Sequence, residues 1–569
     1  MGFVMDKCAM NTMTAVLTHH AEVIGDQAAY IYSPARTNCD QAITYADLHR
    51  DALQIACVLR REHGLGEKRA LLLYQSGLDF IRALYGCLYA GIVCVPMYLP
   101  RLVEDERLAA VLGSADVAAI LTVSSRRAFA DALVATVVGS RPQVICTDEI
   151  VRWSPRRSPE TLLADPSALA IIQFTSGSLG RPKGVMISNA NIIANQRMIK
   201  HGFGHVGGEV VVGWLPFFHD MGLIGNIFQP MFVGGLSVMM APTHFLQNPA
   251  RWLELISSYR AVTSGAPNFA YDYCVEHVSG THLDRLDLSC WKVAYNGAEL
   301  VRESTMRRFA EKFAPLGFEY GSFLPCYGLA EATLYVTGRR LGDDPSAAEL
   351  AEQGDGTAPV SVGRPAPEAV LRILGPDAMP VGAGQVGEIC VGGPHVTEGY
   401  FRHEELTAAS FVVAADTKER LFRTGDLGRQ SGDDLFITGR EKNLLVVNGK
   451  NYQGEEIEFD IARQSELFCP SGTCILQVDE GLVTNRFVVL QEVSKRIAAR
   501  LSSDSKDVDH AAYAAARHVL ARFGLPVTEF LFLRENKLPR TSSGKINRLS
   551  TASLLASKTV GIVHRASVR

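Results

Sequence analysis

The sequence predicts an α/β protein with a large first part of parallel strands covered by helices, a small β-rich segment, and a compact α+β unit at the end. Three observations lead there. Short apolar runs alternate with helix-periodic stretches in the first part, as in "RALLLY" (69–74) before "LDFIRALYGCLYAG" and "AAILTV" (118–123) before "RRAFADALVATVV"; this is the rhythm of a parallel sheet flanked by helices. From about 360 to 438 the runs "LRIL", "GEICVGG" and "LFITGR" are set apart by Gly, Pro and Asp turns, which predicts a small β subdomain. The last stretch carries the helical run "HAAYAAARHVLARFG" (510–524), a strand "EFLFL" and the loop "PRTSSGKINR" (539–548).

The totals agree with several folding units around large buried interiors. A chain of 569 residues exceeds one ordinary core, and 47% hydrophobic against 20% charged residues is a globular composition rather than a disordered one. The formal charge is −4, from 56 basic and 60 acidic residues, and no Lys/Arg block tracks a phosphate backbone. Nucleic acid is therefore a poor partner, and any anionic ligand is expected to be small. Twelve cysteines include no CxxC pair, which argues against a disulfide framework or a zinc site and for a reducing cytoplasm. The start "MGFVMDKCAM" has no basic segment followed by an apolar core, and Asp6 breaks the myristoylation pattern. Met221 to Ala250 carry no Asp, Glu, Lys or Arg, yet Asn226, Gln229, Pro230 and Gly234-Gly235 interrupt them. They are expected to form a buried helix, a turn and a core strand rather than a membrane span.

The stretch "FTSGSLGRPKG" (174–184) follows the apolar run "ALAIIQF" and precedes "VMISNANIIANQRMI", a strand end and then a helix with Ser188 or Asn189 as N-cap. A glycine-rich loop between core elements can turn its backbone N–H groups onto a phosphate. Thr175, Ser176 and Ser178 add hydroxyl donors, Gly177 and Gly180 leave the backbone open, and Arg181 and Lys183 add charge. ATP is the leading ligand. The Walker pattern fails, because Pro182 stands where its second glycine is required and Gly184 follows Lys183. Taken alone, the stretch could equally be a solvated turn.

It does not stand alone. "TSGSLGRPKG" resembles the phosphate loop of the adenylate-forming superfamily, which contains acyl-CoA synthetases, nonribosomal-peptide adenylation domains and firefly luciferase. "YNGAE" (295–299) is similar to that family's adenine-binding segment, "CYGLAE" (326–331) to its adenine and magnesium motif, "TGD" (424–426) to its ribose turn, "GREK" (439–442) to its hinge and "PRTSSGK" (539–545) to its catalytic-lysine loop. The resemblance runs in the family's order over nearly the whole chain. It implies an N-terminal adenylation domain over 1–438, a hinge at 439–443 and a mobile C-terminal domain over 444–569. It also implies ATP and Mg²⁺ as cofactors, with Lys545 bridging the acid and the α-phosphate and Glu331, aided by Thr175, holding the metal. Ser176, Gly177, Ser178, Gly180 and Lys183 would restrain the phosphates. Asn296, Gly297, Ala298, Tyr327 and Gly328 would surround the adenine, with Tyr327 stacking on it, and Asp426 and Arg440 would hold the ribose.

"WLPFFHDMGLIG" (214–225), "FLPCYGLAEATL" (323–334) and "LPRTSSGKINR" together most resemble fatty acyl-AMP ligases. His219 would then lie near the acid carboxylate, the alternative being a structural histidine paired to backbone. Two features bear on the acceptor. The polar run "GDDPSAAELAEQGDGTAP" looks like the insertion, here about 335–360, that disfavours transfer to CoA, and Val446 stands where many thioester-forming members carry a lysine. Asn443 departs from the Asp that commonly follows the hinge lysine. The resemblance implies a medium- or long-chain fatty acid, activated and passed to a holo acyl carrier protein, standalone or a domain of a polyketide or nonribosomal-peptide synthase. The rivals are a fatty acyl-CoA synthetase and a catalytically silent scaffold.

Overall fold

The computed structural model describes residues 10–568 apart from 36–38, 62, 67, 101, 104, 138–140, 151–164, 176–181, 281–284, 342–359, 448–449, 470, 481–482, 502–504, 541–545 and 558–560. The chain divides into two compact units, one comprising Met1–Thr175, Arg181–Thr424 and Arg429–Ile437, the other Gly425–Gly428 and Thr438–Arg569.

The apolar runs of the first unit build two large sheets. One has six strands in the order Gln143–Cys146, Ala119–Thr122, Arg69–Leu73, Val93–Met97, Leu169–Thr175, Lys183–Ser188, parallel except for the last. The other has nine, in the order Arg364–Pro365, Tyr335–Gly338, Phe323–Gly328, Val293–Asn296, Thr263–Ala266, Val210–Gly213, Leu236–Met239, Ala28–Tyr32, Gln41–Thr44, with antiparallel pairs only at its two edges. Helix Leu78–Ala90 touches strands of both sheets and is buried nearly all round, which is what its almost unbroken apolar sequence requires. A smaller sheet follows in the order Val370–Leu374, Gly387–Gly392, Arg420–Ser431, Phe411–Val413.

The uncharged stretch from Met221 folds as a helix, a turn and the core strand Leu236–Met239, with one departure from expectation: Met221–Phe228 is π-wound. Pro230 follows in the next turn and has no N–H to return to the turn before it. The Asn226 carbonyl instead accepts from the Ser237 hydroxyl at 2.7 Å. Among the described residues no helix is long and apolar enough to cross a membrane.

The second unit is an α+β layer. Thr473–Glu480, Val483–Val493, Val527–Arg534 and Ile562–Ser567 form one sheet in that order. Its central strands bury both faces: Phe487, Val489, Phe530 and Phe532 pack on one side, with Val519 and Phe523 of helix Lys506–Phe523, while Val488, Leu490, Leu531 and Leu533 pack on the other with Leu538. The period-two alternation of strand side chains produces this split.

Candidate active site

Strands Leu169–Thr175 and Lys183–Ser188 form an antiparallel hairpin in which Thr175 pairs with Lys183. Ser176, Gly177, Ser178, Gly180 and Arg181 lie outside the described residues. Ser188, not Asn189, is the N-cap of helix Asn189–Gly202: its hydroxyl accepts from the Asn191 N–H at 3.1 Å, and the Asn191 side chain accepts from the Ser188 N–H at 3.0 Å.

That helix does more than the sequence reading assigned to it. Asn191 donates to the carbonyls of Pro394 and Val396 at 2.8 and 3.2 Å, Asn195 to those of Tyr335 and Ala332 at 2.8 and 3.4 Å, and Gln196 to that of Ile224 at 3.3 Å. All three amides are buried. A buried amide repays its desolvation only by hydrogen bonding, and these three spend their donors on three separate loops. The available signal was four amides, Asn189, Asn191, Asn195 and Gln196, within the first eight residues of one helix.

One of those loops carries Glu331. Its carboxylate Oε1 accepts from the Tyr400 hydroxyl at 2.7 Å, and its carbonyl accepts from the Thr397 N–H at 2.9 Å. Among the described residues Oε2 has no protein partner at hydrogen-bond distance. Tyr400 is itself buried, and burial, with the adjacent carboxylate, pushes its ionisation far above the ordinary phenol range, so it keeps its proton and donates. The Lys183 ammonium lies 4.9 Å from the centre of the Tyr400 ring. Sequence reasoning missed Tyr400. Its signal was Gly399, whose φ of +139 and approach to Thr407, 2.2 Å from any added Cβ, admit only glycine.

His219 sits at the start of the π-wound turn, about one-quarter exposed, with Nδ1 2.5 Å from Asp220 Oδ1. Its side-chain partner is thus the neighbouring carboxylate rather than backbone, and Asp220 Oδ1 also accepts from the Met221 N–H at 2.7 Å. Two bonds, one buried and one partly so, tie this segment to its neighbours. Gln173, two residues before Thr175, donates to the Phe218 carbonyl at 3.2 Å, and the Tyr295 hydroxyl donates to Asn226 Oδ1 at 2.7 Å. π turns occur often at functional sites.

Tyr295 begins "YNGAE". The Asn296 side chain is fully buried and donates to Asn268 Oδ1 at 3.2 Å, so it is engaged inside the protein. Gly297 was expected to let a base approach the backbone, but the close neighbour is protein: an added Cβ would lie 2.8 Å from the Cys326 carbonyl oxygen and 2.9 Å from its Sγ. Ala298 takes a left-handed φ of +66, unusual for a residue with a Cβ. Tyr327 is half-buried on strand Phe323–Gly328, which ends at Gly328.

In the second unit, the buried Asp426 accepts through Oδ1 from Nε of the largely exposed Arg440. The Arg440 N–H donates to Gln453 Oε1 at 3.1 Å, and Asn443 Nδ2 donates to Glu455 Oε1 at 2.5 Å. That last contact explains the departure at 443, since an aspartate there would set two carboxylates against each other. Lys545 lies outside the described residues, as do 342–359 and the side chain of Val446. The described ends of the lysine loop are fixed, however: Arg540 bridges to Ile546, and the Asn547 N–H donates to the Pro539 carbonyl at 2.8 Å. The structure therefore brings Thr175, Lys183 and Glu331 into one neighbourhood of the first unit, and Asp426 and Arg440 together in the second.

Residues 17–401 match the family model described as AMP-binding enzyme. The medium-chain-fatty-acid–acyl-carrier-protein ligase JamA of Moorena producens is 33% identical over 576 residues, covering 96% of this chain and 95% of that protein. A putative fatty-acid–CoA ligase of Mycobacterium tuberculosis is 34% identical over 571 residues, covering 95% and 96%. Among solved structures, the fatty acyl-adenylate ligase from L. pneumophila in complex with acyl adenylate and pyrophosphate superposes with a TM-score of 0.72 at 29% identity, over 99% of each chain. The chain belongs to the AMP-binding enzyme family, the adenylate-forming ligases.

Proposed function

We propose that this protein uses ATP to convert a medium- or long-chain fatty acid to acyl-AMP with release of pyrophosphate, and then transfers the acyl group to the phosphopantetheine thiol of an acyl carrier protein, standalone or part of a synthase. The observation that carries the reading is the pair of contacts made by Tyr400, one to Glu331 and one to Lys183. A carboxylate with an uncommitted oxygen and a lysine at the end of a glycine-rich loop suit a metal-bound polyphosphate. The names of the relatives support the fatty acid and the carrier.

A carboxylate is a poor acyl donor because its leaving group would be oxide; joining it to AMP supplies a good one. The acid oxygen attacks the α-phosphorus and pyrophosphate leaves, so two anions are brought together and catalysis consists of positioning and charge neutralisation. Lys545 provides the cation between them, and Thr175, Ser176, Gly177, Ser178, Gly180 and Lys183 restrain the phosphates. Asn296, Gly297, Ala298, Tyr327 and Gly328 enclose the adenine, mostly through backbone and ring faces, Asp426 and Arg440 hold the ribose, and His219 adjoins the acid.

Magnesium fits the donor set: it takes one or two carboxylates plus phosphates rather than a protein cage. Glu331 Oε2 is available, and among the described residues no group of three or more His, Cys, Asp or Glu could hold a metal ion. When bound, Mg²⁺ would neutralise phosphate charge, with Glu331 and Thr175 holding it. We assign domains at 1–438 and 444–569 with a hinge at 439–443, and a cytoplasmic site of action. Incubation with ATP, Mg²⁺ and fatty acids of graded length, reading acyl-AMP by mass and pyrophosphate by coupled assay, tests the reading. Absence of acyl-AMP at every chain length would overturn it.

A further inference from the structure

We propose that Tyr400 is a positioning residue for nucleotide activation, fixing Glu331 Oε1 so that Oε2 is presented to the metal and seating the Lys183 ammonium on its ring. The inference rests on the proposed roles of Glu331 and Lys183, and concerns a residue that none of the sequence motifs contains.

The backbone around Tyr400 is pinned to the same hairpin that carries Lys183. Tyr400 bridges to Val185, the Phe401 N–H donates to the Gly184 carbonyl at 2.8 Å, and the Met186 N–H donates to the Gly399 carbonyl at 3.0 Å. A further bond runs from the Tyr400 N–H to the Thr407 hydroxyl at 2.9 Å. The ring therefore has little freedom, and its hydroxyl points at a fixed place.

Two consequences follow from elementary chemistry. A carboxylate with one oxygen accepting from a buried hydroxyl loses its rotational freedom, so its other oxygen meets a cation already oriented. An ammonium over an aromatic face is attracted by the ring quadrupole yet keeps its N–H donors for another anion. Tyr400 thus sets the separation between a metal-binding carboxylate and a phosphate-binding cation, two groups that would otherwise lie on unrelated loops.

Tyr400→Phe removes the hydroxyl and keeps the ring. The readout is equilibrium binding of Mn²⁺ in the presence of a non-hydrolysable ATP analogue, followed by electron paramagnetic resonance, with melting temperature measured in parallel. We expect the Mn²⁺ affinity to fall about tenfold, in line with other loss of an outer hydrogen bond to a metal ligand, while binding of inorganic pyrophosphate without metal stays unchanged. Tyr400→Leu should weaken pyrophosphate binding as well, because the seat of Lys183 is lost. Wild-type Mn²⁺ affinity in Tyr400→Phe, with Glu331→Gln clearly weakened, would overturn this inference and leave the metal role of Glu331 standing. Wild-type affinity in both variants would overturn the metal role of Glu331 and this inference with it.

Discussion

Asn195 grips Tyr335 at two points: its Nδ2 donates to the Tyr335 carbonyl at 2.8 Å, and its Oδ1 accepts from the Tyr335 N–H at 3.1 Å. With the third bond to Ala332, this clasp closes the turn that carries Glu331. Asn195→Ala takes the amide partner from the buried Tyr335 N–H and carbonyl, while the Ala332 carbonyl keeps the Leu334 N–H at 2.7 Å, and is expected to cost about 2–3 kcal/mol. Urea unfolding reads that loss. Adenylate formation should fall further than Asn191→Ala makes it fall, because Asn191 grips the more distant loop at 394–396; equal effects would sink the ordering.

His395 yields a pH prediction. It is fully buried, among the described residues neither ring nitrogen has a hydrogen-bond partner, and burial lowers its pKa to about 4 from the ordinary 6.5. The unfolded chain therefore takes up the proton first as pH falls. Stability is fully present above about 6.5 and is lost progressively toward pH 4, at about 1.4 kcal/mol per pH unit for this group. His395→Leu gives up no hydrogen bond and should flatten the slope between pH 7 and 5. Urea midpoints at the two pH values check it. A wild-type slope in the variant would move the acid sensitivity to His20 and His205, which burial also lowers to about 4.

Much of the fold was legible because local pattern and tertiary fate coincide. "RALLLY" reads as a strand and folds as one with its centre buried, and of the two N-cap candidates, Ser188 and Asn189, Ser188 caps the helix. The motifs also named Glu331 and Asp426 as candidates, which the fold sets beside Tyr400 and Arg440. What was not legible depends on partners distant in sequence. Tyr400 reads as one more tyrosine until the chain returns it to the Lys183 hairpin, and Asn191, Asn195 and Gln196 read as ordinary polar helix positions until distant segments bring the carbonyls they bind. Gly297 packs closely on Cys326, some thirty positions on, a neighbour that local sequence does not show.

The lysine loop gives a kinetic prediction. Glu492, buried in the sheet of the second unit, accepts from the N–H groups of Lys537 and Leu538 at 2.6 Å each and from Arg540 at 3.0 Å, which fixes the loop's base. Lys545→Ala should leave ATP binding largely intact and lower adenylate formation by about a hundredfold or more, since its charge matters most when two anions approach. Glu492→Gln should lower both activity and melting temperature, because Arg540 loses a buried counter-charge. Single-turnover pyrophosphate release separates the two effects. Near wild-type release by Lys545→Ala would remove that lysine from the chemistry.

The acceptor is the sharpest question, because CoA and a holo carrier protein offer the same phosphopantetheine thiol. Chemistry at sulfur cannot tell them apart; discrimination comes from the rest of each acceptor and from the geometry that admits it. The relatives bear names of both kinds, a carrier-protein ligase and a putative CoA ligase. The run "GDDPSAAELAEQGDGTAP" and Val446 favour the carrier. We therefore expect ATP, Mg²⁺ and a fatty acid to acylate a holo carrier protein readily and CoA poorly, with intact-protein mass spectrometry reading the first and liquid chromatography the second. Removing residues 341–357 should raise acyl-CoA formation without raising acyl-AMP formation, if the insertion restrains transfer rather than activation. Acyl-CoA made by the intact protein as fast as acyl carrier protein would falsify the carrier assignment while leaving adenylate formation untouched. An unchanged acceptor ratio after trimming would instead place the selectivity elsewhere, with Val446→Lys as the next substitution to measure.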